Sequence, residues 1–452
     1  MTRLTKIIAA VLALVLLTSC AGGTVGSSPA DSSSGTSSSK TPLPESYPTE
    51  PIKREDTGEM RELAQKAYGD LIKNFWNETE NRLYKESQGY VIPDYRRQGT
   101  VWAHSMVMFC MDTLYLTTGD EDIHSKIAAH WGFTKENFTL EQFTTPGITP
   151  NDACDDTAWN AMAYMIYYRH TKDPYILEIM KKLLYNAYDF YKNGTLENGL
   201  WYRTRDDHEG AYEYTSIYSA GLILATLDYC EIAKDETLLG YAKTSYEYLE
   251  SHLLRNGKKE YEDFTVDCND LLYFAEFNYN RKMHEKNGPC GGTRPNDIKE
   301  AGSVSMLAGN MAMGVLHARY YKLTGDEHYK TRALETARAI SNSPFYVTDK
   351  GVLVNDRDAW TGCTFARYWA EDVLTLPGIS DKEIDLIYNT ARSIYKNART
   401  DAGYYGGSWS GPAEGPGSKW WVGGSKPEQF MTSGNSALMI MGAGYLEKVI
   451  AG

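Results

Sequence analysis

Along most of the chain the apolar positions recur at the three- and four-residue spacing of a helix face, and alternating runs of the kind that make strands are few. Some stretches are apolar nearly all round, as in Ala158 to Tyr168, Ser219 to Leu227 and Met306 to Val315. Each is followed by a more charged stretch, such as Ile176 to Leu184 or His328 to Ala339. A helix that is apolar on every side belongs in an interior, and one with a single apolar stripe belongs around it. The pattern predicts roughly twelve helices, with an amphipathic one from Gly58 to Trp76 first and an apolar one from Met431 to Ile450 last. Between them it predicts a pair, Trp360 to Leu374 and Asp381 to Ala398, joined by Leu376-Pro-Gly-Ile-Ser380, and a further helix near Asp267 to Lys286.

A short signature recurs where a buried helix gives way to a charged one: Tyr115-Leu-Thr-Thr-Gly-Asp120, Tyr168-Arg-His-Thr-Lys-Asp173, Tyr229-Cys-Glu-Ile-Ala-Lys-Asp235 and Tyr321-Lys-Leu-Thr-Gly-Asp326. Gly or Lys ends the first helix, and Asp caps the amide groups that open the second. Each recurrence is one helical hairpin. A chain of such hairpins forms either an open superhelix or a closed ring of inner helices inside outer ones. The uneven repeat lengths and the long Gly- and Trp-rich loops favour the ring, an all-α (α/α)6 barrel with a cleft at one end.

The 452 residues carry a formal net charge of −13, and no Lys/Arg-rich run offsets it, so a nucleic-acid partner is not expected. Hydrophobic residues make up 42%, enough for a sizeable core. The 34 Tyr and 10 Trp suit either core packing or a wet concave surface that binds sugars. Beyond Cys20 the cysteines are Cys110, Cys154, Cys230, Cys268, Cys290 and Cys363, with no C-x-x-C and no histidines at zinc-ligand spacing. Neither a metal nor any other cofactor is expected.

Residues 1–19 read as an export signal, with basic Arg3 and Lys6, an apolar run from Ile7 to Leu17 too short to span a bilayer, and then Leu17-Thr-Ser-Cys20. The last four residues resemble a bacterial lipobox, which implies that Cys20 is lipidated and holds the protein at the outer cell surface. Secretion without an anchor is the other reading. From Ala21 to Thr41 the chain is nearly all Ser, Gly, Ala and Thr, so residues 20–54 are expected to be a flexible tether and residues 55–452 the catalytic domain.

Loops that enter the inner helices should line the cleft. One of them, Thr149-Pro-Asn-Asp-Ala-Cys-Asp155-Asp156-Thr-Ala-Trp159, puts two adjacent acids at the first turn of an apolar helix. Carboxyl groups roughly 5 to 6 Å apart are within reach of such neighbours, the separation that a retaining glycosidase uses. An acid at a helix start is equally what capping selects, so the pair alone leaves both readings open. Other acidic groups are Asp206-Asp207 with His208 and Glu209, Asp267 with Asp270, and Glu371-Asp372. No glycine-rich phosphate loop and no G-x-S-x-G is present.

The stretch Asp155-Asp156-Thr-Ala-Trp-Asn-Ala-Met-Ala-Tyr resembles the paired-aspartate motif of glycoside hydrolase family 76, the bacterial endo-α-1,6-mannanases. Similar blocks follow in the family's order: Asn198-Gly-Leu-Trp201-Tyr, Thr361-Gly-Cys-Thr-Phe-Ala-Arg-Tyr-Trp-Ala-Glu371, Ser408-Trp409-Ser-Gly-Pro412 and Thr432-Ser-Gly-Asn-Ser-Ala437. The chain departs from the pattern at Ala153-Cys154, at Asn160 and in an insertion from Asp263 to Glu300. The resemblance implies an (α/α)6 barrel, retaining endo-hydrolysis of α-1,6-mannosidic linkages in mannan-type polysaccharides, Asp155 as nucleophile and Asp156 as acid/base. Trp102, Trp201, Trp360 and Trp409 are then candidates for stacking on sugar faces, with core packing as the alternative for each. Two rivals stand beside this reading. One is another (α/α)6 glycosidase or a sugar epimerase, and the other is a non-catalytic glycan-binding lipoprotein.

Overall fold

The computed structural model describes residues 50–79, 81–83, 101–146, 154–200, 214–260, 265–274, 276–278, 307–344, 346–354, 365–414 and 426–451. Its helices are α1 (Glu59–Phe75), α2 (Val101–Thr118), α3 (Glu121–Asn137), the short α4 (Leu140–Thr144), α5 (Cys154–Thr171), α6 (Pro174–Tyr191), α7 (Ala220–Ala233) and α8 (Glu236–Leu253). There follow α9 (Leu307–Thr324), α10 (Glu327–Asn342), α11 (Ala366–Tyr368), which runs on as a π-helical turn over Trp369–Val373, α12 (Asp381–Asn397) and α13 (Phe430–Ile450).

The apolar helices α2, α5, α7, α9, α11 with its π turn, and α13 pack each against the next, and α13 packs back on α2. They form a closed inner ring. Around it α3, α6, α8, α10 and α12 each follow an inner helix as its hairpin partner, and α1 fills the sixth outer place against α13. This is the (α/α)6 barrel that the pattern predicts. Burial follows the ring. Residues 430–447 of α13 are all buried, whereas α12 buries one stripe that includes Ile384, Ile387, Ala391 and Ile394. Small residues let the inner helices touch: a side chain at Gly442 would meet the Cβ of Ala366 at 2.9 Å.

The recurrent corners all sit at one end, the floor. Gly119, Lys172, Lys234 and Gly325 take left-handed φ values of 71°, 53°, 53° and 69°. Their amides close the inner helix on the carbonyls of Tyr115, Tyr168, Cys230 and Tyr321 at 2.7 to 2.9 Å. Asp120, Asp173, Asp235 and Asp326 then cap the outer helix through the amides of Asp122, Tyr175, Leu238 and His328. The corner before α12 does the same with a capping box of Ser380 and Glu383.

The floor also carries a belt of buried charge. Asp112 of α2 binds Arg169 of α5 and lies 3.0 Å from His170. Asp228 of α7 and Asp372 of the π turn flank Arg319 of α9 at 3.6 and 2.7 Å. Lys322 adds a second cation to Asp372, and the Tyr368 hydroxyl donates to Asp228 at 3.1 Å. Arg367 lies 3.7 Å from Asp112 and donates to Glu371 at 3.0 Å.

At the other end, the mouth, where inner helices begin, the described chain forms short antiparallel ribbons: β1 (Trp76–Asn77) with β2 (Arg82–Leu83), β3 (Lys192–Asn193) with β4 (Thr195–Leu200), β5 (Tyr214–Ser216) with β8 (Glu276–Asn278), and β6 (Leu254–Glu260) with β7 (Thr265–Tyr273). The helix expected near Asp267 to Lys286 is thereby corrected over its described residues. Asp267 and Cys268 pair across the ribbon with Lys258 and Gly257, and Leu271 has a φ of 60° that an α-helix cannot contain.

Burial alone would raise the Asp112 carboxyl, but Arg169, His170 and Arg367 outweigh it and hold the group well below the usual carboxylate range. A carboxyl depressed by folding stabilises at every pH above its unfolded value and loses that contribution as pH falls below about 4. Asp112→Asn should therefore cost about 3–5 kcal/mol at pH 7 in urea unfolding, because two guanidinium groups lose a buried partner. The difference from the wild type should shrink as the titration is repeated at lower pH.

Candidate active site

Six inner helices start at the mouth, and a helix start presents free amide groups and the positive end of the dipole. The acidic pair stands there. Cys154, Asp155 and Asp156 are the first three residues of α5. Asp155 is 8% exposed and Asp156 is half-buried. The backbone amide of Asp156 donates to Asp155 Oδ1 at 2.9 Å, which fixes the first carboxylate against the turn.

The rest of this turn is packed rather than wet. Cys154 is fully buried, and burial, then the charges of Asp155 and Asp156, push its thiol well above the ordinary value. It stays a protonated thiol and offers no thiolate nucleophile. The hydroxyls of Thr157 and Tyr191 are 3.0 Å apart in the interior. Trp159 lies with its ring centroid 5.6 Å from that of Phe365. Gly221 of α7 allows α5 this close, since a side chain there would meet Ala158 and Trp159 at 3.1 and 3.2 Å.

The other acidic groups divide cleanly. Asp270 is tied to Arg255 at 2.8 Å and caps the Leu272 amide at 3.2 Å. Asp372 is buried between Arg319 and Lys322 and Glu371 faces Arg367, so both belong to the floor. The side chain of Asp267, and Asp206, Asp207, His208 and Glu209, lie outside the described residues. Among the described residues no group of three His, Cys, Asp or Glu stands where it could hold a metal ion.

Trp409 is not a stacking platform. It is 1% exposed, its indole N–H donates to Ser436 at 3.0 Å and its carbonyl accepts from Ser393 at 2.8 Å. The expectation of a sugar contact is corrected here: the ring locks the loop after α12 onto α13. Trp102 stands in the first turn of α2, with its side chain outside the described residues, as are Trp201, Trp360 and Cys20 altogether.

Sequence reasoning passed over two features near the mouth. One is the Thr157–Tyr191 contact. The other is His104 in the first turn of α2, 3.3 Å from His130, which in turn lies 2.7 Å from the Tyr167 hydroxyl. Burial, then His130 and Arg82, push the His104 imidazole well below its ordinary value, and burial takes His130 down to about 4. Both rings are neutral at pH 7. Contacts across helices of this kind leave no spacing signal in one sequence.

If Trp409 is an anchor, Trp409→Phe should lower stability by about 1–3 kcal/mol in urea unfolding, since Ser436 loses its donor. Turnover by the folded variant should match the wild type.

Neither protein-family models nor curated proteins give a match to this sequence. Solved structures do. The GH76A α-1,6-mannanase from Salegentibacter sp. HEL1_6 is similar with a TM-score of 0.62 at 16% identity, over 86% of this chain and 99% of that one. The family 76 mannosidase Bt3792 from Bacteroides thetaiotaomicron VPI-5482 gives 0.61 at 14% identity, over 86% and 99%. An unsaturated glucuronyl hydrolase specific for heparin gives 0.53 at 12% identity, over 87% and 98%, so the same barrel also serves a hydrolase of a different glycan. The chain thus has the (α/α)6 barrel fold of the family 76 α-1,6-mannanases.

Proposed function

We propose that the protein is a retaining, endo-acting glycoside hydrolase of α-1,6-mannosidic linkages in mannan-type polysaccharides. The observation that carries this reading is the adjacent pair Asp155 and Asp156 on the first turn of an inner helix, at the mouth of the barrel. An inactive variant of the Salegentibacter enzyme, with two consecutive aspartates replaced by asparagine, has been solved in complex with α-1,6-mannotriose. That relative supports both the pair and the class of substrate.

In this reading Asp155 is the nucleophile. Its oriented carboxylate, favoured by the helix N-terminus, attacks the anomeric carbon while Asp156 gives its proton to the departing glycosidic oxygen. A mannosyl ester on Asp155 results. Water then attacks the same carbon, Asp156 takes the water's proton, and Asp155 leaves as a carboxylate, so two inversions give net retention. Trp102, Trp201 and Trp360 supply stacking faces for successive sugars. The reading includes export, cleavage before Cys20, acylation of Cys20 and a tether from Cys20 that holds the enzyme at the bacterial surface. The tether ends short of the expected residue 54, since Ile52 packs on the barrel and Arg54 bonds to Asp381, Asp385 and Ile450.

The test is linear α-1,6-mannan with residues 42–452 and with its Asp155→Asn and Asp156→Asn variants, products separated by size over time. The wild type should yield ladders of short oligosaccharides with the anomeric configuration kept in NMR spectra of the first products. Asp156→Asn should lose roughly 10²- to 10⁴-fold in rate. Polymer that is bound but never cut would favour a glycan-binding protein, and activity confined to unsaturated glucuronides would favour the other glycosidase. For the anchor, Cys20→Ser should move the full-length protein from the detergent phase to the aqueous phase in Triton X-114 partition.

A further inference from the structure

We infer that Tyr191 is a positioning residue for the aspartate pair, acting through the hydroxyl of Thr157. The inference rests on the reading of Asp155 and Asp156 as the reacting carboxylates. The pair occupies the second and third residues of α5, on a turn whose amides have no acceptor within the helix. Such a turn is the part of a helix most easily rotated or unwound, so the direction of its side chains depends on bonds from outside. One bond there, from the Asp156 amide to Asp155 Oδ1, involves a reacting carboxylate and cannot serve as a fixed reference. The Thr157–Tyr191 contact can. Thr157 directly follows the pair and is buried, and its hydroxyl lies 3.0 Å from the phenol of Tyr191.

Tyr191 is itself held on both sides. It is the last residue of α6, fully buried, and the chain passes from it straight into the β3–β4 ribbon on the rim of the mouth. Its ring meets Phe190 edge to face at 5.0 Å. The outer helix and the rim thus share one fixed point with the first turn of α5. On a helix successive side chains diverge by ~100°, so fixing the azimuth of Thr157 sets that of both aspartates. A displacement near 1 Å at reacting groups costs on the order of 10²-fold in rate.

The experiment measures kcat and KM on linear α-1,6-mannan, with melting temperatures, for Tyr191→Phe, Thr157→Val, Thr157→Ser and the Tyr191→Phe/Thr157→Val double variant. Asp156→Asn runs beside them. Tyr191→Phe and Thr157→Val should each lower kcat by roughly 10- to 100-fold with KM unchanged. The double variant should be no worse than the poorer single, because both remove one bond, and Thr157→Ser, which keeps the hydroxyl, should retain kcat. Wild-type kcat in Tyr191→Phe and Thr157→Val, with only the melting temperature lowered, would make the contact purely structural and overturn the inference while Asp156→Asn keeps its roughly 10²- to 10⁴-fold loss. An active Asp156→Asn would instead remove the reading on which the inference rests.

Discussion

The barrel stands on the alternation of charge around its floor. Going round the ring, α2 brings Asp112, α5 Arg169, α7 Asp228, α9 Arg319 and the π turn Asp372. A charge taken out of water is expensive unless a partner compensates it closely, so these five inner elements are committed to one another at this level, while α13 is held by apolar packing. Sliding or rotating one helix by a residue would set it against empty space or a like charge. Apolar packing higher in the ring can tolerate several arrangements, but this belt tolerates one. With the floor fixed, the mouth is free to vary, and its described ribbons differ in length from two residues a strand to nine.

That division explains where chemistry can live on such a fold. The corner end spends its polar groups on capping, with four aspartates and a capping box holding the outer helices. The mouth end has the inner-helix starts, and a helix start is where backbone amides and the positive end of the dipole can meet a carboxylate or a ligand. Asp155 and Asp156 use one such start. The heparin-specific glucuronyl hydrolase with the same barrel shows that the ring does not choose the glycan.

Much of this was readable in one dimension. Helices apolar all round could only be internal, and the recurring Gly-Asp or Lys-Asp corner carries its own backbone and capping chemistry, so both survive without tertiary knowledge. The aspartate pair was readable for the same reason, being local to one helix start. What was not readable depends on partners distant in sequence. Residues 265–273 form a strand because residues 254–260 lie beside them. Trp409 is internal because Ser436 of α13 meets its indole, and nothing local distinguishes it from an exposed tryptophan. The bond from Thr157 to Tyr191 spans 34 residues and two helices.

The first and last helices complete the ring together. The Arg54 amide donates to the Ile450 carbonyl at 3.1 Å, and Glu447 accepts from the Thr57 hydroxyl and the Arg61 amide at 2.8 and 3.0 Å. Contacts this far apart in sequence form late, since the loop they close is nearly the whole chain. A polypeptide delivered amino end first therefore cannot shut its barrel until α13 arrives, and until then α2 waits with one flank open. The segments at Arg54 and Ile450 lie side by side once it has shut. Joining them and opening the chain between Gly119 and Asp120 would leave the same barrel with a different order of assembly.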